Sequence, residues 1–177
     1  MKRVLKEILS TVAYIAVIFC LTYLFITFVM QRTEVSGTSM EPTLQNGDSL
    51  LIEKVSYRFS GPKRFEIIVF PYKYGNQQFF IKRVIGLPGE TVRIDYAGNI
   101  YINGEILEEN YGAEIMRDPG RAETEVVLGD DEYFVLGDNR NNSMDSRDIS
   151  VGSIKKKDIM GRAFLRIFPF DKMGGID

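Results

Sequence analysis

The sequence predicts a mainly β fold: an antiparallel sheet or partly closed barrel that follows one N-terminal transmembrane helix. Three observations in the 177 residues predict it. The run Ile8–Met30 carries no charge. At ~1.5 Å of helical rise per residue it can cross a hydrocarbon core of roughly 30 Å. The rest of the chain breaks into short Val-, Ile- and Phe-rich stretches bounded by Gly-containing turns, the pattern of a β domain. No repeat or low-complexity tract interrupts it.

The helix comes first. A cleaved secretory leader has an apolar stretch of about 7–15 residues, shorter than this one. Lys2, Arg3 and Lys6 precede the run against Glu7 alone, while "QRTEVSG" after it is nearly neutral. The positive-inside bias then leaves residues 1–7 in the cytoplasm, 8–30 as the span, and 31–177 as a β-rich domain on the outer face. Strands are expected in "DSLLIEKV", in "FEIIVF" ended by Pro71, and in "QFFIKRVI" closed by "GLPGE". "TVRIDYAGNIYINGEIL" alternates through Val92, Ile94, Ile100 and Ile102, with turns at Gly98-Asn99 and Asn103-Gly104. "EVVL", "EYFVL" and "IMGRAFLRIF" complete the set. Residues 108–125 are polar without a period and read as an exposed excursion.

Composition excludes several chemistries. Histidine is absent, which removes a Ser-His-Asp triad, a Cys-His dyad and the usual His-ligated zinc. The one cysteine, Cys20, lies in the apolar run, so no intramolecular disulfide forms. The net charge of −2 offers no basic surface for nucleic acid. A hydrolytic reaction here needs Lys, Asp, Glu or an oxygen-bound metal.

Three stretches could carry such chemistry. In "FFIKRVIGLPGE", strand alternation puts Lys82 on one face with Phe80 and Val84 and turns Arg83 the other way. Lost hydration favours a neutral amine there, a competent base or nucleophile. Alternatively the Lys82 head reaches water. In "VSGTSMEPTL", Ser39 is either a helix cap or a nucleophile with Lys82 as base, and Gly37 allows close approach of a substrate backbone. "GDNRNNSMDSRD" resembles a calcium loop, but Ser143 and Ile149 stand where glycine and glutamate are required. It is either a polar turn held by Asp145 and Arg147, or a loop whose Ser143 orients a neutral lysine. No cofactor or metal is predicted.

Taken together and in order after one span, "SGTSMEPTL", "FIKRVIGLPGE" and "VLGDNRNNSMDSRD" resemble the bacterial type I signal peptidases, and "GRAFLRIFPF" looks like that family's last strand. The resemblance implies a serine endopeptidase that removes signal peptides from exported preproteins at the outer face of the cytoplasmic membrane, with small residues at −1 and −3. Ser39 then matches the nucleophile, Lys82 the general base and Ser143 the serine that orients it. Asp145 and Arg147 match a supporting ion pair, and Asp138, Asn139 and Arg140 shape the same loop. Gly37 stands where some members carry an oxyanion-binding serine, which shifts that role toward the Ser39 backbone. Asn141 replaces a common aspartate, and "FEIIVF" lacks a Gly-Asp pair that often precedes the strand. Partners are the signal peptide and the lipid bilayer. Met40 and Phe79–Phe80 are candidates for lipid contact, with core packing as the alternative. A non-enzymatic β-rich binding module is the rival reading, and a Ser39–Lys82 separation beyond ~5 Å favours it.

Overall fold

A computed structural model describes residues 2–75 and 78–176. Met1 of the predicted cytoplasmic segment, and Asn76, Gln77 and Asp177 of the predicted β domain, lie outside the described residues. Helix α1 (Lys2–Phe28) is apolar and long enough over Arg3–Phe25 to cross a membrane, and none of that stretch is buried against the rest of the chain. The helix stops short of Met30. Although Val29 and Met30 prolong the apolar run, Met30 opens strand β1 (Met30–Glu34) and lies opposite Glu53 in the β1–β2 ladder.

The strands follow in chain order as β2 (Ser49–Glu53), β3 (Ile67–Pro71), β4 (Phe79–Gly86), β5 (Thr91–Ile94), β6 (Ile100–Ile102), β7 (Glu105–Ile106), β8 (Val126–Val127), β9 (Glu132–Leu136), β10 (Ile154–Lys155), β11 (Gly161–Phe168) and β12 (Gly174–Gly175). A short helix, α2 (Ser56–Phe59), follows β2. All pairings are antiparallel. The large sheet runs β1-β2-β11-β3-β4-β9-β10, with β12 on β11, and the small one runs β7-β6-β5-β8. The fold is mainly β with one N-terminal apolar helix, as the patterning predicts. Its large sheet stays open, because β1 and β10 do not pair with each other.

The apolar run of β3 is continuous because both of its faces are covered. Ile67 and Val69 pack with Met40, Leu44, Leu50, Ile52 and Ala163 on one side, while Ile68 and Phe70 pack with Val84, Tyr133 and Val135 on the other. The small sheet buries its alternating residues Val92, Ile94, Ile100 and Ile102 against Ile85, Phe134 and Leu136. Asn103 and Gly104 both adopt positive φ, the tight two-residue hairpin that Asn-Gly favours.

Two expectations are corrected. Residues 108–125 are not simply an exposed excursion. Met116, Pro119 and Ala122 are buried, and Glu109 is inside an ion pair with Arg140. Polar side chains hidden by pairing leave no apolar period to detect. The strand expected from Phe65 begins instead at Ile67, since Phe65 sits at φ 72° and turns its carbonyl to accept from Arg83 Nη1 at 2.8 Å.

Gly161 fixes how β11 threads between β2 and β3. A Cβ there would stand 2.3 Å from the Glu53 carbonyl oxygen, whereas one at Gly174 would meet nothing within 4 Å. Gly161→Ala is therefore expected to lower stability by about 1–3 kcal/mol and Gly174→Ala to leave it nearly unchanged. Thermal unfolding of the full chain in detergent micelles measures both.

Candidate active site

The site forms where three segments of different sequence origin meet. The first is the turn after β1. Gly37, at φ 101°, reverses the chain, and its N–H donates to Asn46 Oδ1 at 2.8 Å. Thr38 and Ser39 follow at the crest. Met40 and Leu44 then fix the segment from below as buried core residues, which settles Met40 as packing rather than lipid contact. No hydrogen bond ties the Ser39 N–H to an acceptor among the described residues, so that donor is free for a developing negative charge.

The second segment is β4. Lys82 is 3 % exposed, with Nζ 2.6 Å from Ser39 Oγ and 3.1 Å from the Ile81 carbonyl oxygen. The Phe80 ring centroid lies 5.0 Å from Nζ. Burial pushes the ammonium down to about 8, against the opposing pull of Asp145 and Asp138. The separation from Ser39 is far inside the limit that a non-enzymatic module requires.

Arg83, the next residue, faces the opposite way, as strand alternation demands. It is fully buried. Its Nε and Nη2 donate to the two carboxylate oxygens of Asp138 at 2.9 and 2.8 Å, and its guanidinium lies 3.6 Å from the Tyr111 ring centroid. Thr43 Oγ1 donates to the same carboxylate at 2.5 Å. Arg83 and Thr43 carry no mark in the local sequence, because Asp138 lies 55 positions beyond Arg83. A charged residue at an inward strand position was the one available signal.

The third segment is the loop 137–147. Asn139 N–H donates to the Ser39 carbonyl at 3.1 Å, Asn139 Nδ2 to the Thr38 carbonyl at 3.1 Å, and Asn142 Nδ2 to Thr38 Oγ1 at 3.0 Å. Asp145 and Arg147 form the expected pair, Nε to Oδ1 at 2.8 Å and Nη2 to Oδ2 at 2.9 Å, and Asp145 also accepts from Gly137 N–H at 3.0 Å. Arg140 donates to the Gly137 carbonyl at 3.1 Å. Ser143 lies beside Gly137. Its Oγ is buried and has no hydrogen-bond partner among the described residues, so no bond to Lys82 is present. A Cβ on Gly137 would stand 2.2 Å from Ser143 Oγ and 2.4 Å from the Ser39 carbonyl oxygen, which is why this position holds glycine.

Ser39 and Lys82 lie in a cleft of about 510 Å³. One wall is residues 33–40, and the other is residues 78–82 at the start of β4, with Asn142 and Met144 beside them. Phe79 is half exposed at its rim. Both walls carry unpaired backbone. Among the described residues β1 pairs only with β2, and β9 engages β4 only from Arg83 onward. No group of three or more His, Cys, Asp or Glu side chains able to hold a metal occurs among the described residues. The arrangement can transfer a proton from a hydroxyl to a neutral amine beside a slot for an extended peptide.

Residues 8–168 match the family model described as signal peptidase, peptidase S26. A probable signal peptidase I-2 of Synechocystis is 46 % identical over 153 residues, covering 84 % of this chain and 67 % of that one. Signal peptidase I P of Bacillus subtilis subsp. natto is 35 % identical over 180 residues, covering 97 % and 95 %. A crystal structure of a signal peptidase I from Enterococcus faecalis is 37 % identical and covers 57 % of this chain and 95 % of that one, with a TM-score of 0.47. The chain belongs to the signal peptidase family, peptidase S26.

Proposed function

We propose that this enzyme removes signal peptides from exported preproteins at the outer face of the cytoplasmic membrane, with Ser39 as nucleophile and Lys82 as general base. The contact of 2.6 Å between Nζ and Oγ in a buried setting carries the proposal. Around and above pH 8 a substantial share of the amine is neutral and accepts the Ser39 proton as Oγ attacks the scissile carbonyl carbon. The tetrahedral oxyanion meets the Ser39 N–H, and one such donor contributes about 3 kcal/mol. Collapse breaks the C–N bond, and the Lys82 ammonium returns its proton to the leaving amine. That step frees the mature chain with a new N-terminus and leaves the signal peptide as an ester on Ser39. Lys82 then takes a proton from water as the hydroxide adds to the ester carbonyl carbon. Collapse breaks the C–Oγ bond, the Lys82 ammonium returns that proton to Oγ, and the signal peptide leaves with a new C-terminal carboxyl group. The Asp145–Arg147 pair, with Asp145 also accepting from Gly137 N–H, holds the loop 137–147 beside Ser39, and Gly37 leaves room for the substrate backbone.

The substrate enters as an added strand between the two cleft walls, with small side chains at −1 and −3. In this reading α1 spans the bilayer with its N-terminus in the cytoplasm. Ser39 stays close to the outer interface, where the cleavage sites of membrane-inserted precursors emerge, and the shared tether raises their effective concentration.

Cleavage of a purified preprotein in detergent micelles tests the dyad. Ser39→Ala, Lys82→Ala and Lys82→Arg are each expected to abolish it, the last because arginine keeps its proton. Full activity in any of them removes the mechanism. In the wild type kcat/KM rises with pH through an apparent pKa near 8, since only the neutral amine is a base. A profile already flat through about pH 7 contradicts it.

Lys82 also makes a stability prediction. Its folded value of about 8 lies below the ordinary 10.5, so between those two pH values the unfolded chain binds more protons. Stability accordingly rises with pH across that window. Measured against Lys82→Met, the wild type gains about 3 kcal/mol from the lower end to the upper. Denaturant titrations at the two ends, with no such gain, contradict the buried amine. Gly137→Ala displaces Ser143 or the Ser39 carbonyl and is expected to cut kcat by about 10²-fold, measured on the same preprotein.

A further inference from the structure

We propose that residues 108–119 form a strap that positions the loop 137–147, with Glu109 and Tyr111 as its positioning residues for the Ser39–Lys82 pair. The inference rests on the Ser/Lys reading of the site. The strap leaves the small sheet at β7, crosses to the loop and returns through the turn Gly120–Glu123 to β8. Both ends are thus held by a packed sheet while the middle lies on the machinery.

The contacts run along its whole length. Glu109 accepts from Arg140 Nη1 and Nη2 at 2.7 and 2.9 Å in a pair that is nearly closed to solvent. The same arginine, through Nε, holds the Gly137 carbonyl. The Tyr111 ring lies against the Arg83 guanidinium, with its centroid 3.6 Å from the guanidinium carbon, while Asp138 accepts from Nε and Nη2, so ring and carboxylate confine Arg83 together. Ala113 N–H donates to the Asp138 carbonyl at 3.2 Å, and Arg117 N–H to Asn141 Oδ1 at 3.0 Å. At the far end Arg147 Nη1 donates to the Asp118 carbonyl at 3.0 Å. All four partners are loop residues: Arg140 and Arg147 donate to the strap, and Asp138 and Asn141 accept from it.

The loop in turn sets both halves of the dyad. It holds the Thr38 and Ser39 carbonyls through Asn139, and it holds Arg83, the neighbour of Lys82 on β4, through Asp138. A bidentate pair that is almost fully buried constrains geometry more tightly than a surface pair. Releasing Glu109 or Tyr111 lets the loop rise and admits water to the Lys82 amine. Because burial is what depresses that amine, the lysine then titrates higher.

The test uses the full chain in micelles with [13Cε]lysine. The Lys82 signal is assigned by its loss in Lys82→Arg and titrated in wild type, Glu109→Gln and Tyr111→Leu. The expected result is a Lys82 midpoint raised by about one unit in both variants, with the acid limb of kcat/KM displaced equally and activity at neutral pH reduced about tenfold. Ile100→Val, in the small-sheet core, lowers the melting temperature without touching the loop and is expected to leave midpoint and limb in place. A Lys82 midpoint unchanged in Glu109→Gln and Tyr111→Leu overturns the strap, and so does an equal shift in Ile100→Val. If Tyr111→Leu does not fold, Glu109→Gln, which keeps the side-chain shape, decides alone. Failure of the dyad reading would show separately, as full cleavage by Ser39→Ala, while the lysine titration still reports on the strap.

Discussion

Two adjacent buried cations on one strand set the terms for everything else. Lys82 and Arg83 leave β4 on opposite faces because strand side chains alternate. A buried charge is costly unless it is paired. Arg83 cannot shed its proton, so the fold supplies a bidentate carboxylate, a backbone carbonyl and a ring face. Lys82 can shed its proton, and it receives a hydroxyl and a carbonyl instead of a carboxylate. The same strand therefore carries one permanent charge fully compensated and one amine left under-compensated. Exchanging the two residue types would reverse both solutions at once. An arginine at 82 would keep an unpaired charge, and a lysine at 83 would lose the fork that fits Asp138.

The loop 137–147 is the device that makes this division work. Asp138 could serve either cation by charge alone, and it does raise the Lys82 value somewhat, as Asp145 does. What decides is direction. Asp138 is held by Arg83 on one side and by Thr43 on the other, while Asp145 is turned toward Arg147 and the Gly137 N–H. Both carboxylates are thereby spent on groups that stay charged or polar at every working pH. Desolvation is left as the dominant influence on Lys82.

Much of this was legible in the residues. The alternation in "FFIKRVI" places Lys82 and Arg83 on opposite faces, and the absence of histidine narrows the choice of base before any coordinates are known. The Asn-Gly hairpin and the alternation through Val92–Ile102 define the small sheet. What was not legible has a common cause. The strap reads as polar and aperiodic because Glu109 and Arg140 are hidden by pairing with each other, and hydropathy counts each as exposed. β1, "MQRTE", is a half-exposed edge strand with a burial pattern that never alternates cleanly, so its pairing with β2 outweighs its weak propensity. The partner of Arg83 is a tertiary fact, set by how β4 and β9 bring distant residues side by side.

An unpaired strand edge is ordinarily a liability that proteins cover or blunt. This fold leaves two such edges facing each other across one cleft, β1 with its extension to Thr38 and the first half of β4. The backbone of β4 shows which residues face the gap. Tyr72 N–H donates to the Gln78 carbonyl and Val84 N–H to the Glu66 carbonyl, so residues 78, 80, 82 and 84 direct their main-chain groups toward β3. Phe79 and Ile81 direct theirs into the cleft. In the proposed binding mode a peptide seated there pairs through its main chain, which is blind to side chains. Its own alternation then selects, because residues two apart on an extended chain project to the same side. If the residue at −1 must be small to bring its carbonyl to Ser39 Oγ against this wall, the residue at −3 meets the same wall and the residue at −2 does not. The spacing of the proposed specificity is thus a consequence of strand geometry, and only its stringency is left to the side chains that line the wall, Val69, Ile81 and Met144 among them.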